Sequence, residues 1–402
     1  MRRNTLLKLL LPRIFAAILC LCCLLGLAAC GGQESAPQVD EEAVQTAPVE
    51  SPAQDLPGAG EAANGVTDIE PDLPDADAVQ KPELSSPPTD EEIIELYKYA
   101  VTTLEPGVTI NVAGREWKYG AENDLKNLYY TLLSQCPELK YAYDLRAEIS
   151  GDEAACSFSY MPYKIGAYDE AIPEGYKEVT SLHDAVNLAR GMVDKAESRN
   201  IAITNSALEF DALQRAVAHA GDGWIVFTLS RDGTEISAAP AQGYTLAECV
   251  ENIDESRRIA GEILGQILTD GMSDMEKAEA AYTYITANVA YDFSYYSNRD
   301  DMPFTATVAL GALRDNLAIC GGYSHAFETM LDICGIENYT VSGVSQGEYH
   351  AWNYVIIDGQ GYYCDPTADR GGATRHFMLT ADELSELGGY TWDADFYENL
   401  RV

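Results

Sequence analysis

The sequence predicts an α+β chain: two consecutive mixed helix–strand domains behind a leader with no folded structure of its own. Three observations carry this. Residues 33–88 are rich in Pro, Ala, Asp and Glu, with Lys81 the single basic residue and no apolar period; such a composition buries too little surface to fold. From residue 89 onward, segments of helical spacing alternate with short strand-like runs bounded by turn residues. Hydrophobic residues make up 47% of the 402, enough for the cores of two domains.

The leader opens with the basic "MRRNTLLKLLLPR" and continues as the apolar "IFAAILCLCCLLGLAAC", the pattern of a secretory signal over residues 1–29. Leu27-Ala28-Ala29-Cys30, followed by Gly31-Gly32, resembles the lipobox of bacterial lipoproteins. The resemblance implies that Cys30 is acylated and becomes the first mature residue. The protein would then be extracytoplasmic and lipid-anchored to the cell membrane, and two acyl chains are what stable anchoring needs. Residues 30–88 then read as a disordered, self-repelling tether.

Lys and Arg number 26 against 64 Asp and Glu, a net charge of -38. A chain this acidic does not bind nucleic acid through a basic patch. Beyond Cys30, six cysteines are scattered: Cys136, Cys156, Cys249, Cys320, Cys334 and Cys364. They form no CxxC pair or Cys/His cluster of the kind that holds zinc. No acidic loop has calcium spacing. No metal or cofactor is expected.

Residues 89–245 read as the first α+β domain. Thr89 caps a helix whose Ile93, Ile94, Leu96, Tyr97 and Val101 share helical spacing. "VTINVAG" alternates as a strand. "ENDLKNLYYTLLSQC" is helical and must stop at Pro137. "KYAYDLRAEI" and "ACSFSYMPYK" form a strand pair across the turn-rich "SGDEA". A second helix–strand set follows in "SLHDAVNLARGMVDKAESRN" and "GWIVFTLSRDG". His183 and His219 fall in helical patterns as exposed or packed side chains, and nothing in this half looks catalytic.

Residues 246–402 read as the second domain. "DESRRIAGEILGQILTDGMSDMEKAEAAYTYITANVAYD" gives two amphipathic helices split at Gly271, the second capped by Ser273. After the loop "FSYYSNRDDMPF" comes "AICGGYSHAFETMLDICG". Gly321-Gly322 breaks regular structure, a helix runs from Ser324, and Gly335 stands where a C-terminal cap glycine belongs. Cys320 therefore sits at the mouth of a buried helix, where free N–H groups and the helix dipole favour thiolate and can stabilise an oxyanion. Cys334 lies on the apolar face as a core thiol. "HAWNYVII" is a strand placing His350, Trp352, Tyr354 and Ile356 on one face. If Asp358-Gly359 forms a two-residue hairpin turn, Ile357 pairs with Gln360, Trp352 faces Asp365, and His350 is the diagonal neighbour of Asp365. Asp365 would then orient the imidazole. One further loop residue would send Asp365 to the other face. His325, inside the helix, is a packed or supporting side chain.

Cys320-Gly-Gly-Tyr, His350-Ala-Trp-Asn and Asp365-Pro-Thr, in that order and spacing, resemble the motifs of the transglutaminase-like superfamily over roughly residues 250–402. The resemblance implies a papain-like α+β fold and acyl transfer at amide bonds of surface proteins or peptides. Cys320 would be the nucleophile, His350 the general base and acid, and Asp365 the orienting group. Water as acceptor makes a peptidase or amidase; an amine makes a cross-linker. The alternative is a catalytically inactive surface-binding lipoprotein on the same fold. Trp352 and Tyr323 are candidate substrate contacts. Animal-type transglutaminases carry a Trp upstream of the Cys that assists the oxyanion; no Trp lies between Trp224 and Trp352, and Tyr291, Tyr295 and Tyr296 are the aromatic residues that could take its place.

Overall fold

A computed structural model describes residues 80–195 and 197–401. The signal segment, Cys30 and most of the expected tether lie outside the described residues. The first helix, α1 (Asp90–Thr102), starts where Thr89 and Glu92 cap each other's backbone N–H groups, a capping box, and buries Ile93, Leu96, Tyr97, Ala100 and Val101. Strand β1 (Gly107–Asn111) follows, then α2 (Ala121–Gln135), which ends before Pro137, then the hairpin β2 (Ala142–Ser150) and β3 (Glu153–Tyr160). These strands form an antiparallel sheet in the order β1-β3-β2.

The second set comprises β4 (Lys177–Val179), α3 (Leu182–Arg190), β5 (Arg199–Ile203), α4 (Phe210–Ala218), β6 (Ile225–Leu229) and β7 (Glu235–Pro240). Their sheet order is β4-β5-β7-β6. Helix α3 is half the expected length: Gly191 caps it, and Met192 and Val193 turn into the core.

Helix α5 (Leu246–Ile267) begins two turns before its first strong apolar period, because Thr245 and Glu248 make another capping box. Gly271 takes a left-handed φ of 86°, and Ser273 with Glu276 caps α6 (Asp274–Asn288). The short strands β8 (Ala290–Tyr291) and β9 (Leu317–Ala318) pair in parallel across a single-turn helix, α7 (Ser294–Ser297), and 3₁₀ and π turns. Helix α8 (Cys320–Ile333) then leads into β10 (Asn338–Ser345), β11 (Glu348–Ile357) and β12 (Gln360–Cys364), and the chain closes with α9 (Ala381–Glu386), β13 (Tyr390–Thr391) and α10 (Ala394–Glu398). The four-stranded sheet of this half has the order β12-β11-β10-β13.

The turn between β11 and β12 is the expected one. Asp358 and Gly359 have φ of 54° and 73°, the pair of positive values that a type I′ turn requires. Ile357 pairs with Gln360 and Asn353 with Cys364. Parity then divides the strands: Trp352, Tyr354, Ile356 and Tyr363 join one apolar cluster, while Val355, Ile357 and Cys364 join another beneath α5, α6 and α8.

The first of these clusters runs through both halves of the chain. It joins Ile93, Tyr129, Trp224 and Phe227 to Val308, Tyr339, Trp352 and Leu400. Polar ties reinforce the contact. Arg190 on α3 donates to Glu328 on α8 (2.9 Å) and to the Asn338 carbonyl (2.7 Å). Arg215 pairs with Asp393 at 2.6 Å. His183 Nδ1 lies 3.1 Å from the Leu400 carbonyl.

Candidate active site

Helix α8 starts at Cys320, four residues earlier than its apolar spacing suggests, and Gly321-Gly322 lies inside it rather than breaking it. The glycines are needed for close approach. A Cβ on Gly322 would stand 2.5 Å from the Ala306 carbonyl oxygen and 2.7 Å from Ala318 Cβ; one on Gly321 would stand 2.8 Å from the Thr307 oxygen. The segment around residue 306 therefore lies against the helix's first turn, and Ile319 donates to the Ala306 carbonyl at 2.9 Å. Cys320 is the first helical residue, and no side chain caps this end. First-turn N–H groups have no acceptor within the helix and remain for an anion beside Cys320. At the other end Gly335 has φ 73°, and Ile336 N–H reaches back to the Leu331 carbonyl at 3.0 Å, a Schellman closure.

His350 Nε2 lies 2.7 Å from Asp365 Oδ2. Asp365 is 1% exposed and His350 16%. The carboxylate is fully engaged: Oδ1 accepts from the Thr367 and Ala368 N–H groups, both at 3.0 Å, and Oδ2 also accepts from the Tyr390 hydroxyl at 2.7 Å. Burial works to raise this carboxyl, but the hydrogen bond and charge of His350, with the Ala368 N–H and Tyr390 hydroxyl, hold it below the usual carboxylate range. Burial likewise opposes charge on His350, yet hydrogen bonds to Asp365 and to Cys320, with the charges of both, push it up to about 10. The Cys320 thiol thus acts on the same imidazole as Asp365. Asp365 takes Nε2, which leaves Nδ1 for the thiol.

The two candidate substrate contacts need correcting. Trp352 is wholly buried; it stacks under His350 (ring centroids 5.8 Å apart, planes at 27°) and packs edge-on against Tyr390 at 5.4 Å. It props the imidazole and does not face the cleft. Tyr323 is also fully buried, its hydroxyl on the Val289 carbonyl. A large side chain on the inner face of a helix or sheet packs inward, and only the elements' ends open to solvent here.

The three groups open into a cleft of about 510 Å³ whose walls include Tyr291, Tyr295, Tyr296, Arg370, Arg375 and His376. Phe293, Tyr296 and Tyr349 are large exposed aromatics on its walls. Tyr291 is paired with Ala318 in the β8–β9 ladder, two residues from Cys320. Burial, and then the Cys320 charge, raise its phenol above the ordinary value, so it stays a neutral donor near the sulfur. Of the three tyrosines named from sequence, it is the one that feels the Cys320 charge. The aromatic density of "FSYYSNRDDMPF" signals this wall. Tyr390 is harder to foresee, since it reaches Asp365 through the β10–β13 pairing of Ser345 with Tyr390. Asp369 and His376 went unremarked in the sequence: His376 Nδ1 lies 2.9 Å from Asp369 Oδ1.

The remaining histidines and thiols play other parts. His325 faces away from Cys320, its Nδ1 3.3 Å from Glu328 Oε2. Glu328 also accepts from Arg190 and from the Thr340 hydroxyl at 2.6 Å. Burial works to raise it, but these partners hold it below the usual carboxylate range. His219 packs on Phe396 and Tyr397. Cys364 is buried, which pushes its thiol up to about 12. Cys334 caps α8 and is only half-buried, more open than its apolar position suggests. Among the described residues no group of three or more His, Cys, Asp or Glu could hold a metal ion.

Residues 261–365 match the family model of the transglutaminase-like superfamily. The segment runs from α5 to Asp365 and contains Cys320 and His350, so the chain carries a transglutaminase-like domain there. The kyphoscoliosis peptidases of Mus musculus and Homo sapiens are similar, 30% and 29% identical over 122 residues, which is 27% of this chain and 18% of each relative. This chain thus spans only a small part of the curated relatives it matches. Among solved structures, a TGase is 16% identical with a TM-score of 0.27, covering 55% of this chain and 65% of that one. A candidate cysteine protease of Cytophaga hutchinsonii is 14% identical with a TM-score of 0.24, covering 40% and 54%.

Proposed function

We propose that this protein is a thiol enzyme acting on amide bonds of proteins or peptides through a thioester on Cys320. The observation that carries the reading is a single imidazole, His350, coupled to Cys320 on one side and to the buried Asp365 on the other, at the floor of an open cleft. A thiol beside an imidazolium exists as thiolate at neutral pH. The thiolate attacks the carbonyl carbon, and first-turn N–H groups of α8 with the Tyr291 hydroxyl receive the oxyanion. His350 gives its Nδ1 proton to the departing amine, and the C–N bond breaks. Water or a second amine then attacks the thioester, and Cys320 departs as thiolate. Trp352 and Tyr390 keep the imidazole in plane throughout. The exposed aromatics of the cleft give apolar side chains of a peptide somewhere to lie.

The same proposal places the enzyme outside the cytoplasm, exported by residues 1–29 and held to the membrane by an acyl group on Cys30. Its substrates would be proteins or peptides at the cell surface.

The test is the alkylation of Cys320 by iodoacetamide across pH, in the wild type and in His350→Ala. The wild type should react well below about pH 8, the range of an ordinary thiol, and the variant should lose that low-pH reactivity. Ordinary thiol titration in both proteins would sink the nucleophile.

A further inference from the structure

The cleft contains a second imidazole–carboxylate pair. Asp369 is 2% exposed at its side chain and has three donors: the Tyr282 hydroxyl (2.7 Å), the His376 backbone N–H (2.6 Å) and His376 Nδ1 (2.9 Å). Burial works to raise Asp369, but those donors hold its carboxyl below the usual range, so it is ionised and fixes His376 with the proton on Nδ1. Nε2 is then a lone pair. It makes no hydrogen bond to any described residue, and His376 lines the cleft. The two pairs are joined: the Asp365 N–H donates to the His376 carbonyl at 2.9 Å. Tyr390 stands between the two imidazoles, its ring centroid 6.5 Å from His350 and 6.1 Å from His376.

The chemistry of an amine acceptor leaves a task for this pair. A primary alkylamine arrives as an ammonium, since a lysine-type amine has a pKa of about 10.4. It must lose one proton before its lone pair can attack a thioester and a second once the new C–N bond has formed. His350 has given its proton to the leaving amine and can take one proton back. It cannot take both.

We propose that His376, held by Asp369, is the general base that deprotonates an ammonium acceptor, making the acceptor of this site a primary amine. The inference rests on the thiol-enzyme reading above. The ammonium's first proton passes to His376 Nε2. The free amine attacks the thioester carbonyl, and the second proton passes to His350 Nδ1. The C–S bond breaks, Cys320 leaves as thiolate beside the renewed imidazolium, and His376 returns its proton to water. The other charged groups on the cleft are Glu348 across it and Arg370 and Arg375 on the same loop as His376. The guanidiniums disfavour any added cation in the cleft, so they favour loss of the ammonium's proton and its onward passage from His376 to water.

The experiment uses the full chain with p-nitrophenyl acetate as acyl donor, so that nitrophenolate release reports acylation. Each of two acceptors is supplied in turn: a lysine-containing peptide, which arrives protonated, and hydroxylamine, which arrives largely neutral. His376→Gln should acylate at the wild-type rate and transfer to hydroxylamine normally. Transfer to lysine should fall about a hundredfold or more, the usual contribution of a general base, and raising the pH toward the amine's own pKa should restore it. Asp369→Asn should weaken the same step in the same direction. Equal loss with both acceptors would mean that His376 only supports the loop, and unchanged lysine transfer would mean that it has no part; either overturns the proposal. A wild type that acylates but passes the acyl group only to water also overturns it and leaves the thiol-enzyme reading standing. A wild type in which Cys320 is never acylated would overturn both.

Discussion

Asp365→Asn is the substitution that bears hardest on the site. Asn can still accept from Thr367 and Ala368 through its oxygen, as Asp365 Oδ1 does at 3.0 Å from each. Its NH₂ group then points at His350 Nε2 and at the Tyr390 hydroxyl, where an acceptor stood before. Two donors cannot face each other, so His350 moves its proton to Nδ1 and turns its lone pair away from the thiol. The magnitude follows from the imidazole. Its pKa stands at about 10 instead of 6.5, which at ~1.36 kcal/mol per tenfold favours the imidazolium by on the order of 5 kcal/mol. Asp365 and Cys320 share this, Asp365 with the larger part. Losing that part removes about 3 kcal/mol, or about a hundredfold in the preference of His350 for its charged form, the form that supports a thiolate beside it. The assay is the iodoacetamide rate at about pH 6, near the ordinary His value, with mass readout on Cys320. The fold should survive, because both backbone N–H partners are kept. If the variant alkylates at the wild-type rate there, Asp365 does not sustain the imidazolium and the account of the pair is wrong.

Three further outcomes follow from the same geometry. Tyr390→Phe removes one charge-assisted hydrogen bond to Asp365, worth about 1.5–3 kcal/mol. Turnover should fall about tenfold with circular dichroism unchanged, and a rate equal to wild type would dismiss Tyr390 from the site. Glu328→Ala strands Arg190, 23% exposed, and His325 beneath α8. Breaking such a buried pair costs about 3–5 kcal/mol, so urea unfolding should show that loss; a change below about 1 kcal/mol would mean the tie is idle. His350 also links stability to pH. Its folded pKa is raised to about 10 from 6.5, so its contribution is complete below 6.5 and is lost as pH climbs through 10. The gap in melting temperature between wild type and His350→Gln should therefore narrow over that interval, and curves that stay parallel would count against the raised value.

Much of the site was legible because its parts are local. Asp358-Gly359 fixes a two-residue turn, and strand parity then delivers Asp365 to the face of His350 without any knowledge of the rest of the molecule. Thr89 and Ser273 announced their helices by the same logic, each with a Glu three residues on. The start of α8 was missed because a glycine pair reads as a break in sequence, whereas here it answers to the backbone near residue 306. Tyr390 and the tie from Arg190 to Glu328 depend on pairings across long stretches of chain, which no short pattern encodes; His376 is only seven residues from Asp369, but in a loop with no helix or strand period to set its direction. Trp352 shares a strand face with His350 but lies further along β11, where Tyr390 and Trp392 cover it, and Tyr323 leaves α8 on its inner side. Both turn into the core.

Arg190 belongs to the first half of the chain and Glu328 to the helix that carries Cys320. The segment that matches the superfamily is therefore not a free-standing cassette. Severed at Thr245, it would keep Cys320, His350 and Asp365 but leave Glu328 under its central helix with His325 and Thr340 and no guanidinium, and would uncover the apolar side chains of Val308 and Tyr339. Any recombination that gave this domain a new N-terminal companion would have to bring a cation to the place of Arg190 or remove Glu328 in the same step. The two halves are bound to change together.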